Sequence, residues 1–166
     1  MRMYRRLSIW MCAFVCLFVI TSERAVPQEL LTQKIMSLDM AQAIAQGALA
    51  SCRADGFHVS ISVIDVGGTL KAFMRDDGAG LGSVEVSRLK AYTALIFRRP
   101  SAETAKIWAS TTPVPNVPGT VALSGGVPIK AGNDVVGAIG ISGAPDGDKE
   151  MVCANAGISR VADKLK

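Results

Sequence analysis

The chain has 166 residues, 18 basic and 14 acidic side chains, a net charge of +4 and 49% hydrophobic content. That length allows one domain plus any segment that is removed. Arg2, Arg5, Arg6, Arg24 and Glu23 all lie in the first 25 positions; without them the chain keeps 14 basic and 13 acidic residues, a net charge of +1. No electrostatic case for nucleic acid survives that correction.

Arg2, Arg5 and Arg6 make a positive start, and Ile9 to Ile20 is an apolar run too short to span a bilayer comfortably. Residues 1–25 therefore read as a secretory signal peptide, cleaved after Ala25 or Ser22, with an uncleaved anchor as the rival. The expected location is periplasmic or secreted, with no membrane contact once the signal is gone. Residues 26–36, with Pro27, Gln28 and Gln33, read as a tether, and 37–166 as a single domain. Cys52 and Cys153 are the thiols outside the leader. In an oxidising compartment such a pair is a disulfide candidate; two buried, unpaired cysteines are the alternative.

Ser37 is placed to cap a helix whose stripe runs Leu38, Ala41, Ile44, Ala48, Leu49 and Cys52, stopped by Gly56. Residues 57–65 alternate, with Phe57, Val59, Ile61 and Val63 on one face and His58, Ser60, Ser62 and Ile64 on the other: a strand. Val66-Gly67-Gly68 turns the chain into a second strand over 69–75. After an acidic, glycine-rich loop, a helix starts at Ser83 with Val86, Leu89, Thr93 and Ile96 on one face, ending near Arg98-Arg99-Pro100. A shorter helix covers 102–109, and the prolines of 111–119 predict an extended crossing. Residues 121–124 form a candidate strand; 127–129 and 134–142, joined through Gly132-Asn133, form a hairpin. Asp146 or Asp148 caps a last helix presenting Met151, Ala154, Ile158, Val161 and Leu165. The pattern predicts five antiparallel strands between helices, a three-layer α/β/α domain.

Several stretches together carry a resemblance: FMRDDGAG (Phe73–Gly80), Lys90-Ala91-x-Thr93-Ala94, SGGVPI (Ser124–Ile129), VVGAIGISGAPDGDKE, and CANAGI (Cys153–Ile158). In that order and spacing the chain resembles the GlcG/HbpS family, whose relatives include the C-terminal domain of PduO-type proteins. The resemblance spans nearly everything outside the leader. It implies a profilin-like, five-stranded antiparallel sheet with flanking helices, self-association as dimers or larger rings, and haem binding in some members.

His58 is the single histidine and so the candidate ligand for a haem iron; a packed or solvated strand-edge histidine is the alternative. Met74, Tyr92 and Met151 are weaker candidates. Arg75 and Asp77 sit where the first hairpin meets the acidic loop, and Lys90 is placed by the resemblance near the same cleft. Arg75, Lys90 and the backbone N–H groups of Gly125 and Gly126 form a candidate anion-binding mouth, or else ion pairs and a bend that only pin the loop. Asp65, at a strand end, is a base or a turn cap. No nucleophile elbow, metal cluster, phosphate loop or dinucleotide fingerprint occurs, so no catalytic residue is assigned. Three functions follow: an exported, non-enzymatic haem- or tetrapyrrole-binding protein for storage, scavenging or sensing; a binder or enzyme for a small organic acid anion; and an oligomeric scaffold without ligand.

Overall fold

The computed structural model describes residues 29–166, so the leader reading lies outside the described residues. The helices and strands of the described residues lie within a body of residues 33–166. Helix α1 (Leu38–Ala54) starts where Ser37 Oγ accepts the Met40 N–H at 3.2 Å, satisfying one of the free donors of the first turn. Its stripe from Ala41 to Cys52 is buried, although Leu38 stays 49% exposed. Met36, read from the sequence as tether, is only 2% exposed and packs into the core.

Strands β1 (Ser60–Asp65) and β2 (Leu70–Arg75) form the first hairpin. Asp65 Oδ1 accepts the N–H groups of Gly67 at 2.9 Å and Thr69 at 3.1 Å, so this carboxylate caps the turn. Helices α2 (Ser83–Phe97) and α3 (Ser101–Ala109) follow, then β3 (Gly126–Ala131), β4 (Asp134–Ser142) and α4 (Gly147–Ser159). Asp146 is the α4 cap; its side chain accepts the Lys149 N–H at 2.9 Å.

The sheet is antiparallel with order β2-β1-β4-β3. Among the described residues it has four strands, not the expected five. Residues 121–124 do not join it, because the Val121 N–H and carbonyl are both bound to Thr93 Oγ1 on α2, at 2.9 and 3.3 Å. The three-layer arrangement stands, with α1 and α4 on one face and α2 with α3 on the other.

The two faces are built differently. Towards α1 and α4 lie Val59, just before β1, Ile61 and Val63 of β1, and Ile139 and Ile141 of β4, a branched aliphatic core. Towards α2 the same strands present Ser60, Ser62, Ala138 and Gly140. Small groups let the helix settle directly on the sheet. Ser60 shares a 2.8 Å hydrogen bond with Ser83, and Ser62 one of the same length with Ser87. A methyl group at Gly140 would collide with the Ser87 carbonyl and lie 2.5 Å from the Ala91 nitrogen. This contact decides the rotation of α2. Its buried face is Ser83, Ser87, Lys90, Ala91 and Ala94, whereas Ile96, expected inward, is 38% exposed.

Two long-range ties complete the body. Cys52 of α1 and Cys153 of α4 are joined, fully buried, with Cα atoms 5.4 Å apart. Arg53, at the end of α1, donates to Asp76 Oδ1 through Nε at 3.1 Å and Nη2 at 2.6 Å. The guanidinium, with the Asp77 N–H at 2.9 Å, holds the Asp76 carboxyl well below the usual carboxylate range, at about 2.

Because the Asp76 carboxyl titrates lower in the fold than in the unfolded chain, its contribution is present above the ordinary carboxylate value and lost as pH falls through about 2. Urea midpoints measured over that acid range should therefore fall in the wild type and fall less steeply in Asp76→Asn. Reducing the Cys52–Cys153 bond, which closes a separation of 101 residues, should lower unfolding stability by about 4 kcal/mol. Urea melts with and without reductant, alongside a Cys52→Ala/Cys153→Ala control insensitive to reductant, measure it.

Candidate functional site

The register of α2 carries Lys90 into the interior. Its side chain is 5% exposed, and Nζ donates to the Ile141 carbonyl at 3.1 Å and to Glu150 Oε2 at 2.5 Å. Glu150 projects from the first turn of α4, is 2% exposed, and accepts the Gly143 N–H on Oε1 at 3.0 Å. Burial pushes the Glu150 carboxyl above its ordinary value, while the Lys90 ammonium and the N–H groups of Gly143 and Ala144 pull the other way. A buried charge pair recovers its desolvation cost only through hydrogen bonds of this kind.

The pair forms one wall of a cleft of about 540 Å3, which is also lined by Gly80, Ser83, Ser124 and Ser142. Ser124 Oγ is buried and has no hydrogen-bond partner among the described residues, the state of a polar group that awaits one. The starts of α2 and α4 both reach the cleft, at Ser83 and Gly147, so the positive ends of two helix dipoles point towards it. The cleft can hold a small polar ligand with anionic character, with an amine and a carboxyl group at its wall.

The predicted site residues are only partly brought together. Lys90 lines the cleft; Arg75 does not. The Arg75 guanidinium donates instead to the Ala79 carbonyl, through Nε at 3.2 Å and Nη2 at 2.5 Å, and so pins the acidic loop. Asp77 is exposed and outside the cleft lining. Of the Gly125–Gly126 pair, the Gly126 N–H is already given to Ser101 Oγ at 2.8 Å and is not free for a ligand. Close approach explains both glycines. A methyl group at Gly125 would collide with the Glu150 carboxylate and lie 3.0 Å from Lys90 Nζ, and one at Gly126 would collide with the Lys90 carbonyl.

His58 stands outside the lining, 63% exposed, with Nδ1 3.4 Å from Asp76 Oδ2. Its backbone carbonyl abuts Gly143, so it sits near the rim. No histidine, cysteine or methionine lines the cleft. No cluster of three His, Cys, Asp or Glu side chains that could hold a metal occurs among the described residues. Glu150 escaped the sequence reading. Its one signal was spacing: Glu150, Cys153, Ala154 and Gly157 fall at i, i+3, i+4 and i+7, which puts a carboxylate on the buried stripe of α4.

Comparison with known proteins follows this geometry. The family model described as "Haem degrading protein HbpS-like" matches residues 36–159. Protein GlcG of Escherichia coli (strain K12) is 33% identical over 112 residues, covering 67% of this chain and 84% of that protein. The crystal structure of a double mutant of HbpS from Streptomyces reticuli superposes with a TM-score of 0.76 at 36% identity, covering 81% of this chain and 92% of that one. The crystal structure of a PduOC:haem complex shares the fold, with a TM-score of 0.68 at 21% identity over 76% of this chain and 95% of that one. The matched span runs from the residue before the α1 cap to the end of α4, so the chain belongs to the HbpS-like family.

Proposed function

We propose that the protein is an exported binding protein for a haem-type tetrapyrrole. Family membership supports this reading, as does the common fold with a protein crystallised with haem. The observation on this chain that carries it is His58, whose exposed imidazole has Nδ1 3.4 Å from Asp76 Oδ2 and whose backbone carbonyl abuts Gly143 of the cleft. A carboxylate on one ring nitrogen orients the imidazole and leaves Nε2 to act as a ligand. Haem would supply an iron centre there, and His58 is the side chain that would hold it. The polar cleft beside it suits the carboxylate arms of such a ligand. Export is supported by the leader pattern and by the Cys52–Cys153 pairing, which persists in oxidising compartments.

A second reading is favoured by the cleft itself: its lining holds no imidazole or sulfur ligand, while it presents an orphaned Ser124 hydroxyl and two helix starts. That donor set suits a small organic acid anion.

Hemin titrated into the protein without its leader should give a saturable Soret shift at micromolar concentration, and His58→Ala should weaken it by about tenfold or more. No saturable shift removes the haem reading; a shift unchanged in His58→Ala removes only the iron ligand. In a thermal-shift screen of small carboxylates, a ligand at a hundred times its Kd should stabilise by about 2.7 kcal/mol. That gain should shrink in Ser124→Ala and persist in Arg75→Ala, whose side chain is turned to the loop.

A further inference from the structure

Simple binding of an acid leaves the buried amine of Lys90 unused. We propose that Lys90 is a nucleophile that captures a small carbonyl compound, an aldehyde or a 2-oxo acid, as an imine in the cleft, with Glu150 moving the proton. This deepens the small-acid reading above and rests on it.

Three observations on the site converge. The first is a chain of nucleophile, base and orienting group: Lys90 Nζ is 2.5 Å from Glu150 Oε2, and Glu150 Oε1 is fixed by the Gly143 N–H at 3.0 Å. An ammonium has three N–H bonds; here two are used, on Ile141 and Glu150. The second is burial. At 5% and 2% exposure both side chains are shut off from solvent, so the carboxylate of Glu150 is the one base within reach of the Lys90 nitrogen. The third is room and a partner for oxygen. The cleft of about 540 Å3 lies against the pair, and the orphaned Ser124 hydroxyl can donate to the carbonyl oxygen of an occupant. The starts of α2 and α4, both in the lining, favour the carboxylate of a 2-oxo acid.

The chemistry balances without an outside reagent. Glu150 takes one proton from the Lys90 ammonium. The nitrogen lone pair attacks the carbonyl carbon, and the carbon–oxygen π pair moves to oxygen. That oxygen receives a proton from nitrogen and then the proton held by Glu150, and leaves as water. Nitrogen keeps its last hydrogen as a protonated imine, and Glu150 returns to its carboxylate. Water hydrolyses the imine by the reverse path.

The test is reductive trapping. The protein is incubated with pyruvate and cyanoborohydride, then mapped by peptide mass spectrometry, with lactate thermal shifts in parallel as a probe without a ketone. The reduced adduct should fall on Lys90 in preference to the exposed lysines. Lys90→Arg, which keeps a cation for Glu150, should abolish it, and Glu150→Gln should slow labelling by about a hundredfold. If Glu150→Gln does not fold, the wild-type labelling map decides alone. An adduct confined to exposed lysines while lactate still stabilises overturns the nucleophile and leaves the small-acid cleft standing. No adduct and no lactate shift overturns both.

Discussion

The seam between α2 and the sheet sets the rest of the molecule. Ser60, Ser62 and Gly140 give the helix no bulky side chain to ride on, so its backbone comes down to the strands and is locked there by paired serine hydroxyls. A hydrogen bond of that kind is worth about 1 kcal/mol net, but its directionality matters more here than its energy. It fixes the rotation of α2 and so decides which side chains are carried inside. Lys90 goes in and Ile96 stays partly out, the reverse of what hydrophobicity alone dictates.

A lysine forced into the interior needs acceptors, and the surrounding elements are shaped to provide two. The β4 backbone gives the Ile141 carbonyl, α4 gives Glu150, and the turn before α4 gives N–H groups to that carboxylate. Gly125 and Gly126 are bare because the pair and the α2 backbone occupy the space a side chain would need. Losing one partner of a buried pair typically costs about 3–5 kcal/mol, whereas replacing both by apolar groups can be neutral. The pair is therefore a poor device for stability alone, and its place on the wall of a cleft gives it a chemical role.

A second electrostatic group lies near the rim. Arg53 and Asp76 tie the end of α1 to the acidic loop, and His58 leans on the same carboxylate. Arg75 holds the far side of that loop through the Ala79 carbonyl. The loop that borders the cleft at Gly80 is thus fastened from both sides. Inner wall and rim are separate constructions: one acts through burial, the other through exposed ion pairing. The family to which the chain belongs fits the whole frame, and the chemistry on it is set by these two clusters.

Much of the frame was legible from local rules. Ser37 and Asp146 cap helices, Asp65 caps a turn, and alternation fixed the faces of β1, because each depends on residues a few positions apart. A fifth strand was not realised, since Thr93, distant in sequence, takes the backbone groups that residues 121–124 would have spent on a sheet. Lys90, Gly125 and Gly126 do meet in space, but the room that the glycines leave for Lys90 and Glu150 was not legible from spacing. Arg75 and His58 could not be placed by spacing, and Glu150 showed only as an acid on a buried stripe. Short-range capping, turn geometry and strand alternation follow from the order of residues, since neighbours meet whatever the fold. Which charges face each other inside is decided by how closely a helix can lie on a sheet, and that distance exists only once the chain has folded.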